Sequence, residues 1–110
     1  MVKKHRFDLK VKSNNDKVFL RLSGDLNGSG ACQMEYALER LQNSAKGSRL
    51  TVDFSGVRHF DYFGVVQSAK AIRRQRYRFL EISLTGLEAP AENLFKRFGL
   101  ASGKVTRGQL

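Results

Sequence analysis

The chain has 110 residues, 41% of them hydrophobic, and carries 20 Lys and Arg against 10 Asp and Glu, a formal net charge of +10. This length and the even spread of apolar residues predict one compact domain over residues 1–110 and exclude a disordered or low-complexity chain. No apolar run approaches the roughly 18 residues of a membrane span, and the basic N-terminus lacks the apolar stretch of a signal peptide, so we expect a cytoplasmic protein.

The positive charge is concentrated in two blocks. Residues 1–24 hold 7 basic and 2 acidic side chains, and residues 57–80 hold 6 and 1, so each block has a net charge of +5. The first block includes a basic N-terminal tail, residues 1–6. Such blocks attract acidic proteins, membrane surfaces or nucleic acid.

A β-hairpin followed by a helix is predicted in the first half of the chain. Apolar and polar side chains alternate over residues 7–11 and 18–22, and Asn14-Asn15-Asp16 supplies the turn between these strands. The predicted helix one follows Asn27-Gly28-Ser29-Gly30 and ends near Lys46-Gly47. Its apolar residues at helical spacing are Ala31, Met34, Leu38 and Leu41.

The second half alternates strands with helices. Residues 50–54 and 80–84 have the two-residue period of strands, helix two is expected from about Gly64 to Tyr77, and helix three over 90–99, with Pro90 in its first turn. We expect a short last strand at Val105. The order β-β-α-β-α-β-α predicts an α/β fold with a single mixed sheet, an antiparallel N-terminal hairpin followed by parallel strands, with helices packed against it.

Four motifs in this order resemble the STAS domain family of anti-sigma factor antagonists and sulfate transporter tails. Residues 23–27 are similar to the family's S-G-E-L-D opening of helix one, and residues 50–57 to its third strand. Residues 60–64 fall where the family has I-D-S-S-G, and residues 90–100 match its closing helix. The similarity covers about residues 7–105, the expected core of the domain.

Two positions depart from the family pattern. In its switchable members, a partner kinase that is also the anti-sigma factor phosphorylates the second serine of D-S-S-G, and that position is Phe63 here. Phenylalanine has no oxygen to accept a phosphate, while Tyr62 occupies the place of the first serine. Asn27 replaces the family's Asp in the facing loop. The resemblance therefore implies a binding site that is not switched at this position.

The chain offers little for catalysis or metal binding. Cys32 is its only cysteine, which excludes an internal disulfide, and we interpret it as a small core residue. With only His5 and His59 beside it, a zinc site would lack ligands. We interpret His59 as a loop histidine beside helix two rather than as a catalytic base. We therefore expect no enzyme, no metal and no cofactor.

Asp61 and Phe63 each allow two interpretations. Asp61 is the expected N-cap of helix two, where its side chain accepts backbone N–H groups, and the resemblance also makes it a partner contact. Phe63 is a bulky aromatic at a position where the family has serine. It is either a buried plug under the loop or an exposed anchor for a partner.

Helix two also carries a basic stripe. At 100° per residue, Lys70, Arg73, Arg74 and Arg78 share the side away from Ile72. The segment 69–78 has five basic and no acidic side chains. The stripe is either a solvated helix face or a binding surface, and it lacks the interleaved aromatic and basic residues typical of RNA-binding proteins.

The main hypothesis is a non-catalytic protein-interaction module in bacterial signalling and transcription regulation, similar to anti-sigma factor antagonists. Its expected partner is an anti-sigma factor or a related kinase-like ATPase. The alternatives are a STAS subunit of a membrane-lipid ABC transporter, or binding of a nucleotide or nucleic acid through the basic helix 69–78. We expect neither specific nucleic-acid binding nor membrane insertion. The expected partner-binding residues are Asp25, Asn27, Asp61, Tyr62, Phe63, Gly64, Val66, Lys70, Arg73 and Arg74.

Overall fold

A computed structural model describes residues 6–14, 16–41 and 48–100, and the backbone of 103–106. Most of the predicted basic tail and the segment through Lys46-Gly47 lie outside the described residues. The elements in chain order are β1 (Asp8–Asn14), β2 (Lys17–Leu26), α1 (Gly28–Arg40), β3 (Arg49–Phe60), α2 (Tyr62–Gln75), a 3-10 turn (Arg76–Arg78), β4 (Glu81–Thr85), α3 (Ala89–Arg97) and β5 (Gly103–Thr106).

The strands form one mixed sheet, which confirms the predicted fold. Their order is β1-β2-β3-β4-β5. β1 pairs antiparallel with β2, β3 pairs parallel with both β2 and β4, and β5 pairs antiparallel with β4. The crossovers from β2 to β3 and from β3 to β4 both join neighbouring parallel strands and run in the same direction along the sheet. Because crossovers between parallel strands are right-handed, their helices, α1 and α2, lie on the same face of the sheet. No described helix covers the other face, which we call the open face.

The core fills the space between the sheet and the helices. Side chains of a strand alternate between its two faces, so every second residue of β2, of β4 and of the first half of β3 is buried. These residues are Val18, Leu20, Leu22, Leu50, Val52, Phe54, Ile82 and Leu84. From the helices, Met34, Ile72 and Phe95 pack against them, and the Phe54 and Phe95 rings meet edge to face with centroids 5.4 Å apart.

The third strand is longer than predicted. It continues past Ser55-Gly56 to Phe60, so His59 lies in a strand and not in a loop. The register of β3 against β2 shifts at two places, between Arg21 and Ser23 and again between Gly24 and Asp25. Such irregularities bend a strand without ending its pairing, which is why a local turn signal did not stop β3.

Helix boundaries also differ from the prediction. α1 ends at Arg40, before the expected end near Lys46-Gly47. α2 begins two residues early, at Tyr62, and passes at Gln75 into the 3-10 turn. α3 runs from Ala89 to Arg97, two residues short of the expected end, but the predicted place of Pro90 in its first turn is confirmed and Gly99 follows its end with a φ of 77°.

One core assignment is wrong, and one strand begins later than predicted. Cys32 is exposed, because α1 directs Ala31 and Met34 to the core and leaves Cys32 on another side of the helix. The strand predicted over 80–84 begins at Glu81, so Leu80 precedes it and is exposed, while Phe79 is buried. No helix among the described residues combines the length and the apolar character needed to cross a membrane.

Asp53 on β3 makes a pH-dependent contribution to the stability of the fold. Its Oδ1 accepts hydrogen bonds from the Ser55 backbone N–H at 3.0 Å and from the Thr85 hydroxyl at 3.1 Å. Partial burial raises the pKa of the carboxyl, but these hydrogen bonds and the charge of Arg21 outweigh burial and hold the pKa below its ordinary value of 3.8. Folding therefore favours the ionised form of Asp53.

Replacing Asp53 with Asn is expected to lower the free energy of unfolding at neutral pH. A carboxyl whose pKa is lower in the folded than in the unfolded chain stabilises the fold above the ordinary pKa, and this contribution is lost as pH falls through the lowered pKa. Urea denaturation at several pH values should show wild type and variant converging below pH 3.8. Thr85→Val should reproduce part of the effect, and a difference that is independent of pH would contradict the assignment.

Candidate functional site

The starts of α1 and α2 lie side by side where β2 and β3 end. The parallel register sets Leu26 beside Phe60. The next residue, Asp61, donates its backbone N–H to the Leu26 carbonyl oxygen at 3.0 Å. The loop before α2 is thus hydrogen-bonded to the end of β2, next to the first turn of α1.

Both helices are capped by side chains. Asp61 Oδ1 accepts the Phe63 N–H at 2.8 Å, which confirms the predicted N-cap of helix two. Asn27 caps α1 in the same way, with Oδ1 accepting the Gly30 N–H at 2.9 Å. From the sequence, Asn27 was expected only to contact a partner, although Asn is among the preferred N-cap residues. An amide in place of the family's carboxylate therefore keeps the cap and removes the charge.

Gly64 joins the two helix starts. It is buried, and a Cβ on it would overlap the Leu26 carbonyl oxygen and lie 2.7 Å from Asn27 Cα. Such separations are too short for non-bonded atoms, so only glycine fits between α2 and this backbone without movement. Gly64 was expected to contact a partner, but its burial assigns it this structural role.

Two aromatic side chains beside the caps face solvent. Tyr62 is 68% exposed and Phe63 is 59% exposed. Phe63 is therefore not a buried plug, and of its two interpretations only the exposed one fits. One edge of its ring lies against α1, because a Cβ on Gly28 would be 2.9 Å from Phe63 Cδ1. The first turn of α2 thus presents apolar surface that no described residue covers.

The exposed surface continues along α2. At 100° per residue, five of the expected partner-binding positions fall within an arc of about 100° on the helix. They are Phe63, Val66, Lys70, Arg73 and Arg74. All are exposed except Val66, which is half-buried. Together with Tyr62 they form what we call the α2 face, apolar at its start and basic further along.

The basic stripe differs from its predicted form. Arg74 pairs with Glu35 of α1, with Nη2 and Oε2 2.7 Å apart, so an acidic neighbour comes from another helix. Arg78 lies in the 3-10 turn and is half-buried, and therefore leaves the stripe. Lys70 and Arg73 are exposed and form no ion pair with a described residue.

An aromatic group lies at the far end of the stripe. Arg76 Nη2 donates to the Tyr77 hydroxyl at 2.8 Å, and its guanidinium lies 4.9 Å from the centre of the Tyr77 ring. This hydrogen bond and the positive charge of Arg76 hold the pKa of Tyr77 below its ordinary value. An open groove of about 500 Å³ follows, lined by Lys70, Arg73, Arg74, Arg76, Tyr77 and Phe98.

Asp25 and His59 are opposite each other in the register of β2 and β3. Asp25 is half-buried, and its Oδ1 is buried without a hydrogen bond from any described residue. In the described part of the chain, no three or more His, Cys, Asp and Glu side chains cluster as a metal site would require. Asp25 lies beside the helix starts but contributes less exposed surface than Tyr62 or Phe63.

Comparisons with known proteins agree with this architecture. Residues 9–106 match the family model described as Mlab, STAS domain. Among solved structures, the chain resembles the anti-sigma factor antagonist SpoIIAA in its unphosphorylated form, with 17% identity, a TM-score of 0.63, and coverage of 94% of this chain and 93% of that one. An anti-sigma factor antagonist from Mycobacterium paratuberculosis gives 17% identity and a TM-score of 0.62, over 87% of this chain and 86% of that one.

A larger protein contains a similar fold. The structure of Mglu gives 20% identity and a TM-score of 0.54 over 86% of this chain, which spans only 18% of the length of Mglu. Comparison with curated proteins gives no significant match. At such identities the structural likeness shows the fold alone.

Proposed function

Because the chain belongs to the STAS domain family, we propose that it is a non-catalytic protein-interaction module that binds its partner through the α2 face. The observation that carries this proposal is the exposure of Tyr62 and Phe63 on a helix start that two caps and Gly64 hold in place. Large exposed aromatics on a rigid support are typical of the residues that dominate binding energy at protein interfaces. A cytoplasmic location fits this role and stays a prediction.

The α2 face combines two kinds of contact. Tyr62, Phe63 and Val66 supply apolar area, while Lys70 and Arg73 supply charge that speeds the approach of an acidic partner. Surface charges of this kind are screened by salt, whereas buried apolar contacts are not. Affinity should therefore depend mainly on the aromatic end of the face, and the association rate on its basic end.

We propose two candidates for the partner protein. As the first candidate, the likeness to anti-sigma factor antagonists supports an anti-sigma factor or a related kinase-like ATPase. The second candidate is a subunit of a membrane-lipid ABC transporter, in which the module would itself be a permanent subunit. The lack of serine and threonine at 61–64 suits such a permanent contact. Affinity capture from the native host, followed by identification of the bound protein, distinguishes the two.

Replacing Phe63 with Ser tests the proposal directly. We expect the variant to bind the captured partner at least about 30-fold more weakly in calorimetry, because a hot-spot aromatic contributes about 2 kcal/mol or more. Its free energy of unfolding should change by less than about 0.5 kcal/mol, since the side chain is largely exposed. Phe19→Ser, on the open face of the sheet, is the matched control and should leave binding unchanged. Unchanged affinity of Phe63→Ser would overturn the proposal.

The site should also resist phosphorylation. No serine or threonine lies between Asp61 and Gly64, and the nearby Ser68 is buried with its hydroxyl donating to the Gly64 carbonyl at 2.7 Å. After incubation with ATP and the captured partner, intact-mass spectrometry should show no phosphate on residues 61–68. A phosphate on Tyr62 would contradict this expectation, and one on the exposed Ser55 would place a switch on β3.

The groove beyond the basic stripe supports one function from a different class, the binding of an anionic ligand such as a nucleotide or nucleic acid. Cations beside aromatic rings suit phosphates and stacked bases. We expect weak, salt-sensitive DNA binding only, because no base-reading element accompanies the stripe. Changing Lys70, Arg73 and Arg74 to Gln distinguishes binding of an anionic ligand from binding of a protein partner. Sequence-selective DNA binding at about 150 mM salt that is lost in this triple variant would favour the anionic ligand over the protein partner.

A further inference from the structure

A second surface lies apart from the α2 face, in an apolar groove between β1 and α1. The groove has a volume of about 720 Å³ and is lined mainly by Leu9 and Val11 of β1 and by Cys32, Tyr36 and Ala37 of α1. Val11 is 41% exposed and Tyr36 is 62% exposed. An open apolar groove of this kind is typical of a surface that another molecule covers.

The groove runs along an edge of the sheet. β1 is the terminal strand, and within the described part of the chain it pairs only with β2. The backbone of its outer edge is therefore available to another strand. Adding an extended segment to such an edge is a common mode of peptide recognition, in which backbone hydrogen bonds give affinity and alternate side chains give specificity.

The charges around β1 indicate which kind of strand fits. Leu9 and Val11 line the groove, so Lys10 and Lys12, which alternate with them, lie on the open face. Arg40 stands at the α1 side of the groove, 5.6 Å from the centre of the Tyr36 ring. None of these three cations forms an ion pair with a described residue, and although Asp8 at the start of β1 also lines the groove, the three cations leave this edge net positive. Acidic side chains opposite Lys10 and Lys12 would be stabilised by cross-strand pairing.

A second copy of this chain fits less well. In an antiparallel pair of β1 strands centred on Val11, Lys10 of each copy would lie opposite Lys12 of the other. A pair centred on Leu9 would set Asp8 opposite Lys10 but also Arg6 opposite Lys12, so like charges meet in both registers. Like charges directly opposite each other destabilise a strand pair, and edge lysines are a common device against self-association. The edge is therefore better suited to a different, acidic chain.

We propose that β1 and its groove bind an extended segment of a partner protein in which acidic residues alternate with apolar ones. The segment adds to the sheet beside β1 and places its apolar side chains in the groove against Val11 and Tyr36. Its carboxylates lie on the open face beside Lys10 and Lys12. This interaction is independent of the α2 face, so each can fail without the other.

The experiment uses a synthetic probe, the capped peptide Glu-Val-Glu-Leu-Glu-Val-Glu, titrated into the isotope-labelled full chain and followed by NMR. We expect chemical-shift changes and slowed amide exchange at residues 8–14, together with shifts around Tyr36. The double variant Lys10→Glu, Lys12→Glu should bind at least tenfold more weakly. Lys70→Glu, which makes the same kind of charge change on α2, should bind as wild type does.

A peptide with Lys in place of every Glu completes the test. It should bind the doubly reversed variant more tightly than it binds wild type. Equal binding of the two peptides to wild type, shifts confined to α2, or no shifts at residues 8–14 would each overturn the proposal. A wild-type dimer in sedimentation that dissociates on Val11→Lys would assign the edge to a second copy and would also overturn it.

Discussion

Replacing Phe54 with Ala is expected to lower the free energy of unfolding by about 4 kcal/mol, a large part of the stability of a domain of this size. Phe54 is completely buried on β3. Its ring packs edge to face on Phe95 of α3 and lies 6.5 Å, centre to centre, from Phe60 at the end of the same strand. Truncation to Ala leaves a cavity among these rings, which urea denaturation should register as a lower midpoint.

The matched control is Phe19→Ala, because Phe19 lies on β2 but on the open face, where it is 39% exposed. Its loss should cost about half as much, about 2 kcal/mol, since part of the ring stays in water and its removal leaves no enclosed cavity. Phe54→Leu should recover most of the stability lost in Phe54→Ala because it refills much of the space. Equal costs for the two alanine variants would show that the core does not lie between the sheet and the helices.

The hairpin strands were predictable because helices cover only one face of the sheet, and the helices were predictable from the residues at their ends. A sheet with one face in solvent shows a clean alternation of apolar and polar residues, as in β2, where Val18, Leu20 and Leu22 are buried and Phe19 and Arg21 are exposed. The helices have characteristic residues at their starts and ends. Pro90 and Gly99 mark the limits of α3, and Asp61 caps α2.

The length of β3 was not predictable from local sequence. Ser55-Gly56 is a turn signal, but β2 extends to Leu26 and pairs with β3 as far as Phe60. The second half of β3 pairs with β2 only because the register between the two strands shifts twice. The two strands are far apart in sequence, so a local sequence pattern cannot predict these shifts. The same extension carries His59 into the strand and brings Asp61 to the Leu26 carbonyl.

The candidate site was predictable in its residues but not in its contacts. The motif at 60–64 located the helix start, while the choice between a buried and an exposed Phe63 required the structure. The ion pair of Arg74 with Glu35 joins two helices, so the spacing of residues along either helix does not predict it. The role of Asn27 as a cap did have a signal, since Asn is a preferred residue just before a helix.

Replacing Gly64 with Ala is expected to lower the free energy of unfolding by about 3 kcal/mol, at the upper end for an overpacked position. The new methyl group would meet backbone atoms of Leu26 and Asn27, which cannot move without separating the two helix starts. Gly28→Ala is the control, because its methyl group would meet only the end of the exposed Phe63 side chain, which can rotate aside, and its stability should stay within about 0.5 kcal/mol of wild type. Since the same contact holds Tyr62 and Phe63 in position, Gly64→Ala should also weaken partner binding under conditions where the variant is still folded. If chemical denaturation finds Gly64→Ala as stable as Gly28→Ala, the two loops can part at little cost, and the rigid support assumed for the α2 face does not exist.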